Sequence, residues 1–326
     1  MNNPAGKRIG SFTGKFIILY LAAYVVVALL FLALQSRLPE EARIALDFFK
    51  PYQLEWTAIA AQVLIGAVIA LVLYPFYDII IENKRGLFVL FFTLWGITLV
   101  GSLEPKPGTI EGMLYTETSF FEHILVLAAG AIQFALFSRL LLFWERRSIG
   151  INDSDLINTA EKHYSNLSSR PGLRGYVIRF SVLHLLVYMI VGALFYEISG
   201  YEEALATMEE FTLWRDLENL VMPIVILVGQ IFRGAILALF LSPFYPVYLK
   251  RNHGWALLFG LLFGLKALAT VITVPETAAM FWTMLEESKT GLPEIIAQTL
   301  VFSLLFFAWE RWKTKKAPPA RSKQAL

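Results

Sequence analysis

Long apolar stretches recur along the chain, and short segments that carry most of the charged residues separate them. A bilayer core about 30 Å thick needs roughly 20 predominantly apolar residues per helix. Eight stretches approach that length, so we predict eight transmembrane helices. Their ranges are 16–34, 56–77, 86–103, 120–143, 176–196, 221–245, 254–274 and 292–309. The chain is therefore expected to be an all-α integral membrane protein.

The composition agrees with this class. Hydrophobic residues make up 57% of the 326 residues, charged residues make up 17%, and the mean hydropathy is +0.59. Cysteine is absent, which excludes disulfides and thiolate metal ligands. The first apolar stretch follows basic residues, as a secretory signal does, but it is long for a signal and has a poor cleavage site. We interpret it as a helix of the mature protein.

The second half of the chain repeats the first at a shift of 168 residues. This shift aligns Gln62 with Gln230 and the Pro-Phe-Tyr sequence at 75–77 with the same sequence at 243–245. One duplication explains these matches, so we predict two four-helix units related by a parallel axis along the membrane normal, each with an outer amphipathic helix. The predicted boundaries are 1–147 for the first unit, 148–175 for a cytoplasmic linker, 176–312 for the second unit and 313–326 for a basic tail.

Charge is segregated between the two predicted sides of the membrane. Most of the 28 Lys and Arg residues fall on the side of the termini, and most acidic residues fall on the other side. This bias predicts that both termini are cytoplasmic, in a cell inner (cytoplasmic) membrane. Two outer segments, 37–56 and 200–220, have apolar residues at helical spacing between acids. We expect them to form the amphipathic helices, which either cap the bundle or dock a protein partner.

The sequence has no recognisable catalytic motif and no nucleotide-binding loop. The four histidines are scattered, and none lies three or four residues from another, so we predict no metal site. No acidic residue lies deep within a predicted span, which argues against an intramembrane aspartyl protease. We therefore expect no catalytic residues, no cofactor and no nucleic-acid partner.

Two basic residues lie deep within predicted spans of the second unit. Arg233 and Lys266 are about 15 Å and about 12 Å from the predicted outer ends of their helices, at 1.5 Å per residue. The shift of 168 residues aligns them with Ile65 and Thr98, which are uncharged. An unpaired charge at this depth costs at least ~3 kcal/mol, so another group should compensate it.

Two interpretations of these cations are open. They could extend toward acids near the outer ends of the helices, namely Glu122, Glu276 and Glu294, and serve packing alone. They could instead form a cationic pocket that binds a carboxylate or a lipid phosphate. The candidate ligand-binding residues are then Arg233, Lys266, Gln230, Gln62 and His184. His184 has a simpler alternative as a hydrogen-bonded core histidine.

A substitution separates the two interpretations. If Arg233 belongs to an anion pocket, Arg233→Ile should leave the fold intact because Ile65 occupies the aligned position. If an acid pairs with Arg233, the same variant strands that acid and loses several kcal/mol of stability.

These features favour a transporter or channel-like protein with an anion-binding cavity in the second unit. The alternative is a non-catalytic accessory or assembly subunit of a membrane complex that binds lipid or protein, and the third hypothesis is a lipid-modifying enzyme. A transporter should have a polar cavity between the units, whereas a subunit should be packed solid there. The expected partners are the lipid bilayer, a small anionic ligand or lipid headgroup, and a membrane protein that contacts the outer amphipathic helices.

Overall fold

Every element in the described part of the chain is helical. The computed structural model describes residues 4–37, 56–102, 105, 107–152, 156, 172–199, 215, 220–268 and 278–316. The α-helices are α1 (Pro4–Gln35), α2 (Trp56–Leu73), α3 (Tyr77–Ile81), α4 (Gly86–Thr93), α5 (Ile110–Tyr115), α6 (Phe120–Ile149), α7 (Leu173–Ile198), α8 (Met222–Leu241), α9 (Tyr245–Lys250), α10 (Gly254–Phe259) and α11 (Ala278–Lys316). The all-helical class is thereby confirmed for these residues.

Two further helix types occur at aligned places in the two halves. Short 3-10 turns at Tyr74–Phe76 and Ser242–Phe244 join α2 to α3 and α8 to α9, and each has a proline in its first turn. Proline fits such a position because its missing N–H would have no partner there. The π-helical segments Leu94–Val100 and Gly260–Leu268 extend α4 and α10.

Six helices in the described part of the chain are long and apolar enough to cross a membrane. They are Arg8–Phe31, Gln62–Ile81, Phe120–Ile149, Leu173–Ile198, Met222–Lys250 and Gly291–Thr314. Large apolar side chains on their outer faces are exposed, such as Ile190 at 68% and Ile224 at 64%. Exposed apolar surface of this kind is typical of helices that face lipid. Six of the eight predicted spans coincide with these helices.

The other two predicted spans, 86–103 and 254–274, coincide with shorter apolar helices, Gly86–Val100 and Gly254–Lys266. At 1.5 Å per residue the 15 residues of Gly86–Val100 cover roughly 22 Å, which is less than the bilayer core. The second helix is described only as far as residue 268. The first of these helices ends at Gly101, and prolines follow at positions 105 and 107. Both segments are helical, but that each of them crosses the membrane stays a prediction.

Several helices also extend beyond their apolar stretches. The last predicted span began at residue 292, but α11 begins at Ala278 and contains Pro293. The predicted amphipathic helices at 37–56 and 200–220 lie almost wholly outside the described residues, as do most of the linker and of the basic tail. Their structure stays a prediction.

Aligned helices make matching contacts in the two halves. Helix α1 packs on α2 and α6, and α7 likewise packs on α8 and α11. A Cβ atom added to Gly96 would lie 2.1 Å from the ring of Phe240, and one added to Gly264 would lie 2.6 Å from Val72. Glycine is therefore needed at both positions, because the facing side chain occupies the space of a larger residue.

Each half also buries a glutamate between a tyrosine and a basic residue. In the first half the Tyr77 hydroxyl donates to Glu145 Oε2 at 2.7 Å, and Lys15 lies 2.9 Å from Glu145 Oε1. In the second half the residues with the same arrangement are Glu310, Tyr245 and Arg179. Both clusters tie the last long helix of a half, α6 or α11, to its first helix, α1 or α7, and to the short helix after the 3-10 turn, α3 or α9.

Candidate functional site

Arg233 on α8 is fully buried and forms an ion pair with Glu111 on α5, which is 2% exposed. Arg233 Nη1 lies 2.5 Å from Glu111 Oε1. Gln230 donates from Nε2 to the same Oε1 atom at 3.0 Å and accepts from Arg233 Nη1 at 3.1 Å. Arg233 Nη2 also donates to the Ser102 carbonyl oxygen at 3.5 Å. The guanidinium charge is thus compensated within the protein, as a buried charge requires.

The short helix α5 brings Glu111 to the arginine. Thr109 caps this helix, since its hydroxyl accepts a hydrogen bond from the Gly112 N–H at 2.8 Å. Gly108 precedes the cap with a φ of +83°, in the left-handed region that favours glycine. The Gly108 N–H donates to His123 Nδ1 at 2.9 Å, near the start of α6. These bonds hold α5 against α6 and fix the position of the carboxylate.

The acids that the sequence suggested do not pair with Arg233. Glu122 caps the N-terminus of α6, Glu294 accepts a hydrogen bond within α11, and Glu276 lies outside the described residues. The sequence did not point to Glu111, because this residue lies between the predicted spans 86–103 and 120–143. The structure instead brings it to an arginine about 16 Å along α8 from its first residue.

The internal alignment contained a signal for this pair. At the shift of 168 residues, Arg233 aligns with Ile65 and Glu111 aligns with Ala279. Each charged residue of the pair therefore replaces an apolar residue at the aligned position of the other half. One half thus carries an extra acid and the other an extra base. This pattern favours a contact between the two residues, because each could neutralise the other.

A small, partly open cavity lies in the second half among α7, α11 and the π-helical segment at 260–268. Its volume is about 20 Å³, enough for one water molecule. The polar residues on its wall are His184, Tyr188, Lys266, Gln298 and Thr299, and the apolar ones are Val187, Leu262 and Phe302. A cavity with such polar lining suits a polar or charged occupant.

The predicted site residues of the second half fall into two adjoining groups. Lys266 and His184 line the cavity, whereas Arg233 and Gln230 lie in the cluster with Glu111. The two groups are in electrostatic contact, because Lys266 interacts with both Arg233 and Glu111. Lys266 is itself only 4% exposed.

His184 has an aromatic environment on one side and the polar cluster on the other. Its ring stacks on Phe180 and meets Phe302 edge-on. Gln230 is a polar neighbour, but the buried Nε2 atom has no hydrogen-bond partner among the described residues. In a core histidine of the ordinary kind, both ring nitrogens would form hydrogen bonds within the protein. Here Nε2 forms none among the described residues, and His184 lines the cavity.

Gln62 is buried, with 6% exposed, and Gln230 at the aligned position has no exposed surface. Burial of both amides agrees with their position in apolar helices, because an amide that faces lipid is unsatisfied. The helix that carries Gln62 packs on the segment 260–268, which carries Lys266. A role for Gln62 in ligand binding stays a prediction.

Polar contacts extend from the cavity in two directions. Tyr188 lines the cavity, and its hydroxyl forms a hydrogen bond with the hydroxyl of Tyr115, one turn after Glu111 on α5. In the other direction, Gln298 donates to Glu294 at 2.7 Å, and Glu294 is partly exposed. Polar groups therefore connect a partly exposed carboxylate, the cavity and the buried ion pair.

No group of three or more His, Cys, Asp or Glu side chains in the described part of the chain could hold a metal ion. Comparison of the chain with protein families, with curated proteins and with solved structures found no match.

Proposed function

We propose that the protein is a transporter or channel-like membrane protein that binds a small anion in the cavity beside Lys266 and His184. The observation that most supports this function is the composition of the cavity wall. Lys266 and His184 both line the cavity, and a second basic residue, Arg233, interacts with Lys266. Charge-assisted hydrogen bonds from such donors are the strongest that a protein offers an anion.

The sign of the local charge supports an anionic rather than a cationic ligand. Three buried charged side chains interact at this site: Arg233, Lys266 and Glu111. Glu111 offsets the charge of Arg233, so a protonated Lys266 leaves one positive charge in excess beside the cavity. In a low-dielectric interior this charge is screened far less than at a surface.

The size of the cavity restricts the ligand. A volume of about 20 Å³ accepts one particle of about the size of water. A single halide ion such as chloride fits this space with little adjustment, whereas a carboxylate or lipid phosphate would require the helices to separate. We therefore narrow the ligand to a small monovalent anion.

The proposed architecture is two parallel units with eight apolar segments, with both termini on the cytoplasmic side of an inner membrane. The matching glycine contacts and the two buried glutamate clusters support the duplication. The distribution of Lys and Arg along the chain supports the orientation.

An accessory or assembly subunit that binds lipid or protein is the second candidate function. The packing between the halves favours it, because the rings of Phe76 and Phe244 meet with centroids 4.8 Å apart. Within the described residues the two halves meet through such rings and through the buried cluster of Arg233, Gln230 and Glu111, and residues of the second half line the cavity. A protein of this kind would bind its ligand without moving it.

Chloride binding by the purified protein tests the proposal. Thermal stability is measured in sodium chloride and in sodium gluconate at equal ionic strength, because gluconate is too large for the cavity. Chloride at 100 times its dissociation constant should stabilise the wild type by about 2.7 kcal/mol. Lys266→Thr, which installs the residue found at the aligned Thr98, should lose this difference. The control Lys250→Met removes an exposed cation and should keep it.

Flux measurements distinguish the two candidate functions. Liposomes containing the wild type should release chloride, and those containing Lys266→Thr should not. Chloride-specific stabilisation without flux would support the accessory subunit. Equal stability in chloride and gluconate at every concentration would contradict anion binding altogether.

A further inference from the structure

The Glu111 carboxylate uses only one of its two oxygen atoms in hydrogen bonding. Oε1 receives both Arg233 Nη1 and Gln230 Nε2. Oε2 is buried and has no hydrogen-bond partner among the described residues. An ionised carboxylate can accept about four hydrogen bonds, and buried acceptors are normally satisfied. A proton could bind to Oε2 without displacing either bond at Oε1.

The groups that face Glu111 belong to four helical elements. Arg233 approaches from α8, and Lys266 acts from the π-helical segment at 260–268. Tyr115 on α5 and Tyr188 on α7 also interact with its charge. A negative charge that enters the neighbouring cavity offsets part of the effect of the two cations, which makes it easier for the carboxylate to bind a proton.

We propose that Glu111 binds a proton at Oε2 when a small anion occupies the cavity beside Lys266, so that the protein takes up an anion and a proton together. This inference rests on the proposed anion-binding function. The step is a simple proton addition in which the carboxylate becomes a carboxylic acid and no other bond is formed or broken. The entering anion then replaces the charge lost from Glu111, and the net charge of the cluster is conserved.

The hydrogen-bonded side chains provide a route for the proton. Glu294 is partly exposed and bonded to Gln298 on the cavity wall, and Tyr188 on the same wall bonds to Tyr115 beside Glu111. Before the anion enters, one water molecule in the cavity would complete the connection between the two pairs. Hydroxyl groups and water can each accept one proton and pass on another.

The dependence of chloride binding on pH tests the inference with the full-length purified protein. The chloride dissociation constant is measured by calorimetry from about pH 5 to about pH 8, in buffers of different ionisation enthalpy that report proton uptake. The wild type should take up close to one proton per chloride where Glu111 is ionised. There its dissociation constant should rise about tenfold per pH unit, because each bound chloride requires a proton.

Two variants test whether Glu111 is the carboxylate that binds the proton. Glu111→Gln, a neutral analogue of the protonated acid, should bind chloride with the same affinity at every pH and without proton uptake. Glu294→Gln removes the other nearby carboxylate and should keep the uptake. The proposal would be overturned if Glu111→Gln still took up a proton with chloride while Glu294→Gln or His184→Gln did not.

The wild type alone provides a second measurement if Glu111→Gln does not fold. Addition of chloride should produce the infrared band of a protonated carboxylic acid, and the absence of this band would contradict the proposal. Chloride binding without proton uptake would overturn the coupling and leave anion binding intact. A wild type that binds no chloride at any pH would overturn both.

Discussion

Replacing the two members of the buried ion pair, singly and together, should show strong non-additivity. Arg233→Ile leaves the Glu111 carboxylate buried without its cation, and Glu111→Ala leaves the guanidinium without its anion. Both residues are almost fully buried, with 0% of Arg233 and 2% of Glu111 exposed. Loss of one partner from such a pair costs about 3–5 kcal/mol of unfolding free energy.

The double variant installs at each position the residue that the other half of the chain carries there, Ile65 or Ala279. The double variant removes both charges. The remaining loss of unfolding free energy comes from the Gln230 amide, which is left unpaired at a cost of about 1–3 kcal/mol, and from the space that the smaller side chains leave unfilled. The double variant should therefore be no less stable than either single variant. The sum of the two single losses should exceed its loss by about 3 kcal/mol or more.

Equilibrium unfolding in mixed detergent and sodium dodecyl sulfate micelles measures these free energies. The partly exposed pair of Arg8 and Glu82, 3.6 Å apart, serves as the matched control. Its coupling energy should stay below about 1 kcal/mol, because solvent screens it. Additive losses for Arg233→Ile and Glu111→Ala would refute the assignment of Glu111 as the partner of Arg233.

The remaining predictions concern two glycines with opposite surroundings. Gly264→Ala should destabilise the protein by about 1–3 kcal/mol, because the new Cβ would lie 2.6 Å from Val72 across the contact between the halves. Gly14→Ala should instead stabilise it by up to about 1 kcal/mol, since no atom lies within 4 Å of the new Cβ and alanine favours the helix. Both changes are measured by the same unfolding titration, and equal effects of the two variants would contradict the packing between the halves.

The apolar pattern predicted the helices well because burial in lipid demands long runs of apolar residues. It predicted less well where a helix ends inside the bundle. The segment that starts at Gly86 becomes π-helical at Leu94 and ends near Gly101. These features depend on local packing and on the residues that follow, and hydropathy carries no information about either.

The sequence predicted parts of the candidate site but not its organisation. Arg233, Lys266 and His184 could be identified as candidate site residues from their positions within the predicted spans, because polar side chains are unusual deep in an apolar helix. The partner of Arg233 could not be found in this way, since Glu111 lies outside every apolar run. Only the short helix α5, which folds back against α8, brings the acid to the arginine. Gln62 was included because of its alignment with Gln230, and alignment alone does not place two residues in one site.

Locating a heavy halide in the protein tests the central claim most directly. Bromide has the same charge as chloride and is only slightly larger, and its anomalous scattering identifies it in crystals of the protein soaked in sodium bromide. We predict a bromide peak in the cavity between Lys266 and His184 in the wild type, and no peak there in Lys266→Thr. Bromide bound only at surface sites, with the cavity lacking any anomalous peak, would contradict the account.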